Sequence, residues 1–90
     1  MSPETYINHP NFGLLFRICL VEENKDLFAT LYAQRLFFLV STDMGAGFAF
    51  APIGRSEARM LLESRLRILR RAGQYSEYDR LQKTYQQTFQ

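Results

Sequence analysis

Phe48-Ala49-Phe50-Ala51-Pro52-Ile53-Gly54-Arg55-Ser56-Glu57-Ala58-Arg59-Met60-Leu61-Leu62 changes its hydrophobic period part-way along. Before Pro52 the large apolar residues fall on alternate positions, as in a strand whose successive side chains point to opposite faces. After Gly54 the pattern is different. Ala58, Leu61, Leu62, Leu66 and Leu69 recur at steps of three and four with arginines between them, which predicts an amphipathic helix. Pro52 and Gly54 punctuate the change. The chain therefore divides into a β unit over residues 1–53 and a helical unit over residues 54–90.

Working back toward the N-terminus, Phe12, Leu14, Phe16, Ile18 and Leu20 occupy even positions, while Gly13, Arg17 and Cys19 stand between them. That alternation predicts a strand with one buried face. Glu22 to Asp26 is polar and turn-prone, and Leu27 to Tyr32 resumes a β-favouring run. Leu36 to Ser41 forms a further strand, and Asp43 to Gly47 supplies a glycine-rich turn before Phe48. Four or five short antiparallel strands with no intervening helix predict a small bent sheet or open SH3-like barrel of the Tudor-like kind. Phe37 and Phe38 are adjacent, so a regular strand with a single buried face cannot place both in the core.

Toward the C-terminus, Gly73 is suited to end the first helix in the left-handed conformation. Tyr75, Tyr78, Leu81, Tyr85 and Phe89 then repeat helical spacing. The expected fold is thus α+β: the small antiparallel sheet followed by a two-helix hairpin. Each helix is expected to turn much of its apolar stripe toward the other, leaving limited packing on the sheet.

Ninety residues, 47% hydrophobic and 22% charged, suit one small folded domain with a modest core. The apolar runs Leu36–Val40 and Phe48–Ile53 fall far short of the ~20 residues of a membrane span, and the N-terminus lacks a signal-peptide pattern. A cytoplasmic protein with no membrane partner is expected. Residues 1–54 carry three basic and five acidic side chains, and residues 55–90 carry eight basic and four acidic, within a net charge of +2.

Catalysis and metal binding find little to work with. There is one histidine, His9, and one cysteine, Cys19, whose apolar neighbours predict an inert strand position. These are too few nitrogen and sulfur donors for zinc, and the segment 43–47 lacks the oxygen ligands of a calcium loop. The glycines do not form a phosphate-binding fingerprint, and no cofactor is expected. Arg55, Arg59, Arg65, Arg67, Arg70 and Arg71 could contact phosphates, which leaves a nucleic-acid-binding Tudor or KOW-type module as the alternative reading. Glu57 and Glu63 lie among them, so a solvated or protein-docking helix face is preferred over direct nucleic-acid contact.

The aromatic residues outnumber what one face of so small a sheet can hide. Tyr6, Phe12, Tyr32, Phe37, Phe38, Phe48 and Phe50 predict a partly exposed aromatic patch, a composition typical of protein-binding hot spots. A cage of converging rings for a methylated cation would use similar residues.

Asn8-His9-Pro10, Phe12-Gly13-Leu14-Leu15, the twelve-residue block Ala29 to Val40, and Pro52-Ile53-Gly54-Arg55 with Glu57-Ala58-Arg59 together resemble the PipX family, the PII-interacting proteins of cyanobacteria. The resemblance runs from Tyr6 to Phe89. It implies a Tudor-like domain followed by two helices and a non-enzymatic role. The implied partners are the trimeric PII signalling protein, when 2-oxoglutarate is scarce, and the active dimer of the transcription activator NtcA, when it is abundant. The resemblance further implies that the partners, not this chain, sense the small molecule. Matching the family pattern residue by residue, the implied contact surface is Glu4, Tyr6, His9, Phe12, Tyr32, Gln34, Arg35, Leu36 and Phe38. Phe16 departs from the tyrosine expected in that family.

Overall fold

The computed structural model describes residues 6–31, 36–43 and 47–89. Five strands come first: β1 (Tyr6–His9), β2 (Gly13–Glu22), β3 (Lys25–Thr30), β4 (Phe37–Asp43) and β5 (Gly47–Ile53). Each pairs antiparallel with the next, so that spatial order equals chain order. Two helices follow, α1 (Arg55–Arg71) and α2 (Tyr75–Phe89). The expected α+β class is the observed one, a half-barrel sheet with two C-terminal helices.

The sheet is covered on both sides. Leu15, Phe28, Phe38 and Val40 form one buried cluster, with Ile7 and Phe50 packed against it, and no helical residue takes part. Leu15 is 0% and Phe28 2% exposed. A flat sheet would leave that side in water, so the strands must roll over it and close their own core. The opposite side carries Cys19, Leu27, Ala29 and Phe37, which join Ala58, Leu62, Leu66 and Leu69 of α1 and Leu81 and Phe89 of α2.

Two cores on two sides correct three sequence expectations. Phe37 and Phe38 are both core, each 3% exposed, because adjacent side chains enter different clusters. The single buried face read from Phe12 to Leu20 becomes two: Leu15, an odd position, is fully buried on the rolled side, and Phe16 and Ile18 pack toward the helices. A β-bulge contributes to this. Arg17 pairs with Phe28 but Cys19 with Leu27, so two steps along β2 answer one along β3, and Cys19 is brought to the same side as Phe16. Finally, the helices pack on the sheet more extensively than expected, since α1 shares one core with β2, β3 and β4.

The hairpin is closed by both geometry and side chains. Gly73 sits at φ +74°, its N–H donates to the Arg70 carbonyl at 3.2 Å, and the Gln74 N–H donates to the Leu69 carbonyl at 2.9 Å. This is the Schellman pattern, which satisfies the last carbonyls of α1 and turns the chain. No atom lies within 4 Å of where a Cβ would stand at Gly73. Gly73→Ala should therefore lose only the backbone term, about 1–2 kcal/mol, seen as a melting temperature lower by roughly 4–8 °C per kcal/mol. Further along, the Tyr85 hydroxyl donates to Glu63 Oε2 at 2.5 Å, and Arg59 Nε donates to Tyr85 Oη at 3.0 Å and to Glu63 at 3.3 Å. The Tyr85 hydrogen bond, helped by Arg59, holds the Glu63 carboxyl below its ordinary range. At the far end the Phe89 ring stacks on Phe37 at 5.4 Å and lies under the Arg55 guanidinium at 5.1 Å.

Cys19 is an inert core thiol in this setting. Burial pushes its pKa from the ordinary 9.0 up to about 12, against a smaller downward pull from Arg17 and Arg65. Because the folded value is raised, its contribution to stability is fully present below pH 9.0 and is lost progressively toward about pH 12. Urea titrations between pH 8 and pH 10 should show this slope in the wild type. A Cys19→Ala variant, compared over the same range, should lack that component.

Candidate functional site

On the rolled side of the sheet an aromatic patch is organised around His9. The His9 Nδ1 atom accepts the backbone N–H of Asn11 at 3.0 Å and of Phe12 at 3.3 Å, which fixes the turn between β1 and β2. The ring therefore acts as an acceptor at Nδ1. Its faces and edges meet three phenylalanines: Phe12 at 5.0 Å, Phe38 at 5.5 Å in a stacked arrangement and Phe50 at 4.9 Å edge-on. Phe12 in turn lies 5.4 Å from Phe38, and Phe48 lies 6.4 Å from Phe50. Such ring pairs each contribute about 0.5–1.5 kcal/mol beyond burial.

Exposure is uneven across the patch. Phe12 is 47% and Phe48 54% exposed, whereas Phe38 is buried beneath them. Strand alternation explains the set, since Val40↔Phe50 and Phe38↔Pro52 are cross-strand pairs on this side and Phe48 stands two residues from Phe50 along the same strand. The rings pack on one another, with His9 between them, rather than around a hollow. A methylammonium cage requires the rings to stand ~4–6 Å from a cation at their centre, and His9 fills that place here.

The residues singled out from the sequence fall in different locations. His9, Phe12 and Phe38 come together in the patch. Leu36 is partly exposed at the entrance to β4, where its N–H donates to Thr30 Oγ1 and its carbonyl accepts the Thr30 N–H, both at 3.0 Å. Tyr6 is on the other side of the sheet. It pairs with Phe16 across β1 and β2, and borders a groove beneath the helices. Glu4, Tyr32, Gln34 and Arg35 lie outside the described residues. Phe48 and Phe50 complete the patch although the matched family pattern did not include them. Both belong to the partly exposed aromatic patch that the composition predicts.

The arginines of α1 do not form one phosphate-facing stripe. Arg59 is tied to Glu63 and Tyr85, Arg55 covers Phe89, and Arg67 donates to Ser64 Oγ at 3.0 Å. Arg70 and Arg71 occupy the last turn, where positive charge complements the helix dipole. This arrangement weakens the nucleic-acid reading.

A family model described as PipX, PII-interacting protein X, matches residues 3–89. The chain belongs to the PipX family. The match spans all five strands and both helices, and thus includes the aromatic patch and the hairpin. Comparison with curated proteins returns no match. Membership of the PipX family is consistent with a regulatory adaptor that works by binding protein. Among the described residues no helix is long and apolar enough to cross a membrane, and no three His, Cys, Asp or Glu side chains converge on a metal-sized site.

Proposed function

We propose that this chain is a non-enzymatic cytoplasmic adaptor that exchanges between the PII signalling protein and the transcription activator NtcA according to 2-oxoglutarate. The observation that carries this reading is the PipX family match over residues 3–89. When 2-oxoglutarate is scarce the PII trimer sequesters the chain; when it is abundant the chain binds the effector-loaded NtcA dimer. A coactivator that prefers the active conformation shifts the population toward it by its differential affinity, and needs no catalytic residue.

Residues 1–53 act as the Tudor-like docking domain and residues 54–90 as the helical unit it carries. The proposed contact surface comprises Glu4, Tyr6, His9, Phe12, Tyr32, Gln34, Arg35, Leu36 and Phe38. Exposed Phe12, braced on His9 and Phe38, supports that assignment: it is a rigid aromatic anchor held at the surface. Phe38 contributes from below, by supporting Phe12.

Purified PII trimer and NtcA dimer test the reading directly. With labelled chain and 2-oxoglutarate absent, PII should bind; with 2-oxoglutarate present, NtcA should bind and PII should release. Unlabelled PII without 2-oxoglutarate should displace the chain from NtcA. Absence of binding to both partners would sink the proposal, and a ternary complex bridged by one copy would refute the shared surface.

A further inference from the structure

A groove of about 800 Å³ runs between the sheet and the two helices, on the side away from the aromatic patch. Phe16, Ile18 and Leu20 of β2 line one wall, and Leu69 and Leu81 of the helices line the other. Apolar surface alone would say little about an occupant. The charges along the groove say more. Arg65 of α1 and Arg80 of α2 both line it, and neither forms a salt bridge among the described residues. Arg17 is already neutralised by Asp26 at 3.0 Å. Glu77 is the one acidic residue among the described lining residues, so two unpaired cations face one carboxylate.

We propose that this groove is a second docking site, which takes an acidic peptide segment carrying a bulky apolar side chain. The apolar side chain would sit over Ile18 and between Leu69 and Leu81, and flanking carboxylates would pair with Arg65 and Arg80. At the floor of the groove the pKa of the Cys19 thiol is raised chiefly by burial and pulled down by Arg17 and then by Arg65, with Asp26 opposing them. Arg65 thus adds to the positive field of a trough whose other unpaired cation, among the described residues, is Arg80. A basic segment would meet the same field as repulsion. A small dicarboxylate could satisfy the arginines but would leave the apolar walls uncovered. The volume is within the ~300–1,000 Å³ of ordinary ligand clefts, which is ample for several residues of peptide.

Two consequences follow from the placement. The walls come from β2 and from both helices, so an occupant binds only while the helices are docked and must favour that arrangement. The groove and the aromatic patch lie on opposite sides of the sheet, so occupation of one leaves the rings of the other open, and of the proposed contact residues that are described only Tyr6 also lines the groove. The proposal therefore does not rest on the exchange between PII and NtcA.

Phage-displayed random nonapeptides selected against the immobilised full chain provide the test. Enriched peptides should carry at least two acidic residues around a leucine or aromatic residue. A fluorescein-labelled peptide from that pool should perturb the backbone amide resonances of Ile18, Leu20, Leu69 and Leu81. The double substitution Arg65→Gln and Arg80→Gln should weaken it about tenfold or more, while PII binding stays at the wild-type level. Binding should fall with added salt, and millimolar succinate should not displace the peptide. No enrichment, an enriched pool without acidic residues, resonance changes confined to the aromatic patch, undiminished affinity for the double variant or displacement by succinate would each overturn the proposal. The resonance map uses the wild-type chain, so it decides the matter even if the double variant were unstable.

Discussion

Leu62→Ala is expected to lower the free energy of unfolding by about 2–5 kcal/mol. Leu62 is fully buried in the cluster that joins Cys19, Leu27, Ala29 and Phe37 of the sheet to Leu81 and Phe89 of α2. Truncation removes the transfer energy of the lost methyl groups and leaves a cavity at the meeting of three elements, where few neighbours can move in to fill it. A domain of this size has only about 5–13 kcal/mol in total, so a large fraction of its stability would go. Urea titration followed by circular dichroism measures the loss. Met60→Ala, on the exposed side of the same helix, should stay within about 0.5 kcal/mol and serves as the control. Hydrogen exchange adds a second readout. Because the core is shared, protection should fall in β2 and β3 as well as in the helices; a fall confined to residues 55–89 would show that the hairpin opens independently of the sheet.

Phe12→Ala is expected to weaken the PII complex by about 1–3 kcal/mol, or roughly tenfold to more than a hundredfold in dissociation constant. The motive is its position: it is half exposed, yet its ring is held by His9 at 5.0 Å and Phe38 at 5.4 Å. A pre-positioned aromatic side chain sacrifices little conformational freedom on binding. The fold should survive, because Phe12 lies in a turn on the side away from the helices, and the melting curve of the variant will show whether it does. Phe38→Ala is the instructive contrast. Phe38 is core, so its loss should appear first as about 3–5 kcal/mol of instability, and only then as weakened binding. Tyr32→Ala and Arg35→Ala follow from the family pattern alone and should also weaken at least one complex. Wild-type affinity in the Phe12, Tyr32 and Arg35 variants together would move the contact surface elsewhere.

The hydrophobic period alone was enough to place the boundary between strands and helices. The step from alternation in Phe48 to Phe50 to three-and-four spacing in Ala58 to Leu69 is a local property of neighbouring residues, and α1 begins at Arg55 where that step predicts. The turn at Gly73 is local in the same sense, since only the left-handed backbone conformation was needed to foresee it. The family, too, was written in short runs such as Ala29 to Val40.

What the sequence could not settle was which side of each strand faces what. Period-two alternation separates two faces but does not say whether one or both are covered, and β2, β3 and β4 turn out to be covered on both. The bulge between Arg17 and Cys19 shifts the parity of β2 at a point that no single residue announces. As a result Leu15 is at the centre of one core, Phe38 supports the patch from beneath, and Tyr6 borders the groove under the helices. The groove itself exists only because α1 and α2 dock across β2, bringing Arg65 and Arg80 to the same trough from positions fifteen residues apart. Local spacing determined the elements of this protein. Only long-range packing, in which the sheet rolls on one side and receives the helices on the other, decided which side chains meet.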